Sequence, residues 1–292
     1  DTHARCVNAS STKLDITACW DVKLENAQRV ADALGTGDTY VTTDWKTMVD
    51  YVDAVLIALP HDLHYECGMF FARNKKHVLM EKPAGINSYQ AHSLERTAAE
   101  VGKIAAVAMN RRHIPLVQEV LKKVKAVTPI TQVDSRFMKY SDVDKGWHYA
   151  SAYHCDIIHA IDLLRYAVGS EPKDVATIIG SFFAPVDNAW SSIIRFENGV
   201  TGTLRANYRS ASRLHDLEIH GPGACAFVNL GFGDMLANAT IFYNHGTSLY
   251  SAAASGGGMG VPEIEKLDGI GNIRSHDGLA DTITAIKDGI GV

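Results

Sequence analysis

The sequence predicts an α/β protein in two parts: a parallel sheet with crossover helices over residues 1–110, then an α/β domain with a large, open, mainly antiparallel sheet over residues 111–292. Three observations predict it. Short apolar runs alternate with amphipathic stretches through the first part. One of these runs, Ala54-Val55-Leu56-Ile57-Ala58-Leu59, is apolar throughout, as a strand covered on both faces must be. Beyond a single long helical segment in the second part, strand-like runs then follow one another with turn signals between them.

Residues 14–20 read as the first strand. Residues 24–34 place Ala27, Val30, Ala31 and Leu34 at helical spacing, and Gly35 and Gly37 supply the stop. Residues 53–59 form the buried strand, closed by Pro60, and residues 61–74 are helical. A strand at 77–80 and a helix at 88–101 follow, the helix capped by Asn87 with Gln90 three residues on. Residues 104–109 complete this part. From about Pro129 the rhythm changes: a helix at 153–168 precedes strands at 175–183, 191–196, 201–208 and 216–220. Asn198-Gly199 between two of them predicts a type I′ hairpin turn, which needs positive φ at both central residues. Gly221-Pro222-Gly223 marks another reversal. The glycine-rich stretch 255–260 has no buried strand ahead of it and Pro262 behind it, so it reads as a loop rather than a phosphate cradle.

The 292 residues are 46% hydrophobic, contain no run of about 18 apolar residues and carry a net charge of -5, with Lys and Arg dispersed along the chain. That pattern predicts a soluble protein with no membrane partner and no basic stripe for nucleic acid, which leaves small molecules as partners. Five cysteines without zinc spacing, an odd count for a disulfide framework, fit a reducing, cytoplasmic compartment. The polar residues 1–5 do not read as a secretory leader.

Chemistry is signalled first by Val78-Leu79-Met80-Glu81-Lys82-Pro83, an apolar strand that delivers a carboxylate, an ammonium and a rigid proline to its carboxyl end, where open α/β sheets bind ligands. A lysine there can orient, polarise or exchange a proton with a substrate oxygen; alone, the same pair would read as a solvated strand end. Asp21 follows the first strand, where a carboxylate accepts ribose hydroxyls and repels a 2′-phosphate, so NAD is favoured over NADP. Nearby Lys23 weakens that preference, and Asp21 also reads as a helix cap. Asp156 and His159, three residues apart on the 153–168 helix, share a face. His154, Cys155, Asp156 and His159 have no second cluster to complete a tetrahedral set, so no metal is expected. Asp162 and Arg165 are expected to pair with each other. Arg111, Tyr140, Trp147 and His148 can hydrogen-bond or stack on a polyol, and read equally as loop and interface residues.

In order and spacing, the run 54–60 followed by His61 and His64, the run 77–83, and His159-Ala160-Ile161-Asp162-Leu163-Leu164-Arg165 ending at Gly169 resemble the Gfo/Idh/MocA family, the relatives of glucose-fructose oxidoreductase and inositol dehydrogenase. The resemblance covers nearly the whole chain. It implies a Rossmann dinucleotide-binding domain over 1–110 and a substrate-binding domain over 111–292 whose open sheet supports homo-oligomers. It also implies NAD(P)-linked chemistry on a sugar, cyclitol or related polyol. Pro60, His61, His64, Glu81 and Lys82 would lie beside the cofactor, and Lys82, Asp156 and His159 at the reacting hydroxyl or carbonyl. Family members begin with a strand and a Gly-rich turn that this chain does not show, its first glycine being Gly35, and they continue further at the carboxyl end. The expectation is that the first strand has been lost from the sequence, since a parallel sheet without it leaves backbone groups unpaired. The family pattern also has Asp four residues before the helix histidine, where this chain has Cys155. Two further activities fit the resemblance: transient oxidation that drives glycoside cleavage or epimerisation, and dinucleotide or sugar sensing without turnover.

Overall fold

The computed structural model describes residues 14–141, 151–231, 237–244 and 262–268. They fall into two compact units that divide between Met109 and Asn110.

In the first unit, strand β1 (Ala18–Trp20) leads into helix α1 (Leu24–Leu34), and β1 pairs in parallel with β2 (Tyr40–Thr42). The sequence pattern over 14–20 extends further than the strand, which is three residues long. A second parallel piece runs β3 (Ala54–Ile57), β4 (His77–Met80), β5 (Ala105–Val107), in that spatial order. No described strand joins the two pieces. Helix α2 (His64–Arg73), entered through a 3-10 turn at His61–Leu63, and helix α3 (Ser88–Glu100) are the crossovers. Asn87 caps α3 by accepting from the Gln90 N–H at 2.9 Å, while the Gln90 side chain turns back to the Ile86 N–H. Val55, Ile57, Val78 and Met80 pack with Cys67, Phe71, Ala72 and Leu94 to form this unit's core, which explains why β3 and β4 are apolar at almost every position.

The second unit opens with a 3-10 turn, Asn110–His113, and helix α4 (Pro115–Val127), which the sequence reading did not assign. Pro115 sits in the first turn, where its missing N–H costs nothing, and Leu116, Val117, Val120, Leu121 and Val124 form the buried stripe. Strand β6 (Gln132–Tyr140) follows. The predicted long helix is a π-helical turn, Tyr153–Ile157, running into helix α5 (Ile158–Val168), and Gly169 closes it at φ 68°. Strands β7 (Pro172–Gly180), β8 (Ala189–Phe196), β9 (Thr201–Asn207), β10 (Arg209–His220), β11 (Ala224–Asn229), β12 (Asn238–Tyr243) and β13 (Glu263–Asp268) follow. They build, among the described residues, an eight-stranded sheet in the order β13-β12-β11-β10-β6-β9-β8-β7, antiparallel except where β6 meets β9. Helices α4 and α5 cover one face, burying Leu163 and Leu164 against Val133, Phe137, Leu204 and Leu217. Among the described residues, positions on the opposite face such as Ile178 and Ile193 are exposed.

The hairpin at Asn198-Gly199 departs from expectation. Gly199 alone takes positive φ, 87°, and its N–H donates to the Phe196 carbonyl at 3.0 Å, while Phe196 N–H donates to Val200 O. A three-residue loop with a left-handed glycine therefore replaces the two-residue type I′ turn. Gly221-Pro222-Gly223 does reverse the chain, with Gly221 N–H donating to Ala224 O at 2.9 Å.

Candidate active site

At the carboxyl ends of β3 and β4 the first unit gathers Pro60, His61, Glu81 and Lys82. The Glu81 N–H donates to Ile57 O at 2.8 Å, so the segment leaving β4 stays registered on β3, and the Lys82–Pro83 peptide bond is cis. The Lys82 N–H faces a Glu81 carboxylate oxygen at 3.2 Å. His64 is fully buried, with Nδ1 2.8 Å from Pro83 O and Nε2 2.8 Å from Leu59 O. Its ring thus braces the two strand ends against each other, the alternative reading of a satisfied helix histidine. His61 lies 5.8 Å from His64, ring to ring. Burial holds the His61 imidazole below its ordinary value; the Lys82 ammonium and His64 push the same way, against Glu81 and Asp62.

Asp21 lies just past β1 and is half-buried. Its Oδ1 accepts from the Lys23 N–H at 2.9 Å and from Asn26 Nδ2 at 3.2 Å, and the Lys23 bond holds the carboxyl below its ordinary range. Lys23, not Asp21, is the N-cap residue of α1 and makes no side-chain cap bond, so the capping alternative does not hold; Asp21 makes a local turn ahead of the helix, which leaves Oδ2 outside those two bonds. A dinucleotide's ribose and nicotinamide ends fit what these strand ends offer: an ionised carboxylate after β1, and a carboxylate and an ammonium after β4.

The second unit builds a buried polar cluster from residues far apart in sequence. Asp156, in the π turn, pairs with Lys139 of β6 and accepts from the Tyr208 hydroxyl at 2.8 Å. Lys139 also lies over the Tyr208 ring, 4.8 Å from its centroid. Tyr208 is fully buried; desolvation and the Asp156 charge push its phenol well up, so it is a donor at any ordinary pH. His159, at the start of α5, is buried at 6% exposure. Arg111, from the 3-10 turn, meets His215 of β10, Nη1 to Nδ1, at 3.2 Å. His215 stacks near Phe137, ring centroids 4.9 Å apart.

The structure thus places Asp156, His159 and Arg111 in one unit's interior, along with three residues that the sequence reading did not single out: Lys139, Tyr208 and His215. Lys139 and Tyr208 lie 17 and 52 residues from Asp156, and His215 lies 104 from Arg111, separations at which sequence pattern carries no pairing signal. Tyr140, at the end of β6, is exposed under the Arg209 guanidinium, 5.7 Å from its ring centroid. Trp147 and His148, and the glycine-rich stretch 255–260, lie outside the described residues. The expected Asp162–Arg165 pair is replaced by two others: Arg112 holds Asp162 through two hydrogen bonds, and Arg165 holds Glu171. Asp134, Glu218 and His220, on the open sheet face, bring their ligand-type atoms within 4.8 Å of one another. Asp134 already accepts from Thr203 and Gln132, and Glu218 faces Arg136 at 3.6 Å, so the trio is an ion network.

A parallel-sheet unit with charged strand ends, followed by an open-sheet unit with a buried histidine–carboxylate helix, defines a two-domain dinucleotide-binding protein. Residues 1–109 match the model of an oxidoreductase family with an NAD-binding Rossmann fold, and residues 123–225 match the GFO/IDH/MocA C-terminal domain. The chain belongs to the Gfo/Idh/MocA family, and its first unit is that family's NAD-binding domain. Among curated relatives, levoglucosan dehydrogenase of Pseudarthrobacter phenanthrenivorans is 25% identical over 62% of this chain and 56% of its own length. Inositol 2-dehydrogenase of Rhizobium meliloti is 26% identical over 78% of this chain and 72% of its own. The chain spans little more than half of several curated relatives, 52% of an uncharacterized oxidoreductase of Bacillus subtilis and 57% of one from Escherichia coli. In fold it is similar to levoglucosan dehydrogenase in complex with NADH and levoglucosan, with a TM-score of 0.83 at 19% identity over 100% of this chain and 87% of that one. UDP-N-acetylglucosamine 3-dehydrogenase from Acidithiobacillus ferrooxidans gives 0.77 at 18% over 98% and 84%. No helix among the described residues is long and apolar enough to cross a membrane.

Proposed function

We propose that this protein is an NAD(P)-dependent dehydrogenase or reductase of a sugar, cyclitol or related polyol. The observation that carries the reading is Lys82, set after an apolar strand of the NAD-binding unit and followed by Pro83, in a family whose relatives include levoglucosan and inositol dehydrogenases. The nicotinamide supplies the hydride acceptor when bound. Lys82 holds the substrate oxygen and stabilises charge as it develops there. His159 takes the proton of the substrate hydroxyl as general base, and returns it in the reverse direction. Asp156 acts as a positioning residue: its contacts with Lys139 and Tyr208 fix the π turn ahead of His159. Asp21, with Oδ2 outside its local turn, favours NAD over NADP, and Pro60, His61 and Glu81 line the cofactor's strand ends.

Two finer readings accompany this one. Copies of the chain associate through the open sheet face, where Ile178 and Ile193 are 79% and 67% exposed beside a depression of about 530 Å³. The protein works in the cytoplasm, in keeping with Cys19, Cys67, Cys155 and Cys225, all free thiols. Levoglucosan, inositols and D-xylose, offered with NAD or NADP, form the first panel. NADH or NADPH appearing with any of them supports the function. Sugar conversion without net reduced cofactor rejects it in favour of transient oxidation, and binding without conversion rejects it in favour of sensing.

A further inference from the structure

Three cations of the second unit have carboxylate partners: Arg112 has Asp162, Lys139 has Asp156, and Arg136 has Asp216. Among the described residues no carboxylate pairs with Arg111. It is 6% exposed, and its only side-chain hydrogen bond among the described residues goes to His215, a neutral ring. Arg111 Nε has no hydrogen-bond partner among the described residues. Because a guanidinium only donates, His215 Nδ1 must be the acceptor, which puts the ring proton on Nε2. His215 Nε2 is also buried without a partner. The pair therefore holds one positive charge and two N–H donors away from water with no acceptor to satisfy them, an arrangement that costs stability unless an oxyanion arrives. Burial lowers the Arg111 pKa to about 10, with Asp156 opposing and Arg213 adding to the shift, so the charge persists at neutral pH.

We infer that Arg111 and His215 form an anion subsite in the second unit and that the natural substrate is an acidic sugar, carrying a carboxylate or a phosphate, rather than a neutral polyol. The assignment rests on the dehydrogenase reading for the word substrate; the subsite itself does not. Arg111 supplies charge and His215 a neutral donor, together with shape: its Nδ1 holds the guanidinium and its ring is held beside Phe137.

The test is calorimetric titration of the NAD-loaded protein with D-glucuronate, D-glucose 6-phosphate and D-glucose. At least one acid should bind about tenfold or more tightly than glucose, and Arg111→Gln should erase that preference by weakening the acid far more than glucose. Whichever acid binds identifies carboxylate or phosphate as the group. Arg111→Lys should restore part of the preference, and His215→Phe should weaken the acid alone. Equal binding of all three probes, no binding of either acid, or an equal loss for acid and glucose in Arg111→Gln overturns the subsite. Ligand-free Arg111→Gln should melt no lower than the parent, since Arg111 holds no ion pair; a clear fall would make it a structural cation and also overturn the proposal. Acid binding without NADH formation leaves the subsite standing and rejects the dehydrogenase reading; NADH from neutral polyols with no acid preference does the reverse.

Discussion

His215 has its imidazole buried against a cation, so the cluster around it depends on pH. Burial, then Arg111 and His159, hold its pKa well below the ordinary 6.5. The unfolded chain protonates this ring before the folded one does, so stability is full above that ordinary value and falls as pH drops below it. Chemical denaturation at pH 7 and pH 5 should show a loss approaching about 1.4 kcal/mol per pH unit from this group, reduced in His215→Gln. Lys139→Met removes the cation paired with the buried Asp156 carboxylate, which still accepts from Tyr208, and should cost about 3–5 kcal/mol by the same method. Cys67, pushed up to about 12 by burial, should resist alkylation at pH 8 in the folded protein and react once unfolded. At this scale the sequence was informative where a residue's meaning is local: Lys82 after its strand, Asp21 in its turn, His159 on its helix. It was silent on Lys139, Tyr208 and His215, whose roles exist only through contacts across the fold, and it paired Asp162 with its helix neighbour because i,i+3 spacing cannot reveal Arg112 fifty residues upstream.

Elements whose faces follow one rule were legible. Helices α1 and α3 each bury one helical face, and β4 buries Val78, Leu79 and Met80 in succession, as a strand covered on both faces does. Strand β6 was hidden because one of its inward positions is Ser135, satisfied by the Asp216 carbonyl at 2.7 Å, which breaks the apolar alternation. Helix α4 carries a readable apolar stripe at Leu116, Val117, Val120, Leu121 and Val124. The π turn ahead of α5 follows no pattern in sequence, although it sets where Asp156 stands relative to His159. The turn between β10 and β11 offers a direct test of element packing. A Cβ on Gly221 would lie 2.4 Å from the Pro129 carbonyl oxygen, a backbone atom with nowhere to go. Gly221→Ala should therefore cost about 1–3 kcal/mol in urea denaturation while leaving the Asn198-Gly199 hairpin intact.

For the whole molecule, the open face of the eight-stranded sheet and the NAD-binding unit make separate predictions. If copies associate through that face, Ile178→Glu with Ile193→Glu should convert the oligomer to monomer in analytical ultracentrifugation without altering the fold seen by circular dichroism. The two-part architecture was legible because parallel and antiparallel strands bury their faces differently; the ligand was not, because ligand choice is made by side chains that the fold assembles. The central proposal is that Lys82 and His159 each serve the hydride-transfer reaction. Its most direct test is kcat for NADH formation in Lys82→Ala and His159→Ala, with NAD affinity measured alongside. The account predicts a fall of about 10²–10⁴-fold in each variant with NAD binding retained; full turnover by either variant would contradict it.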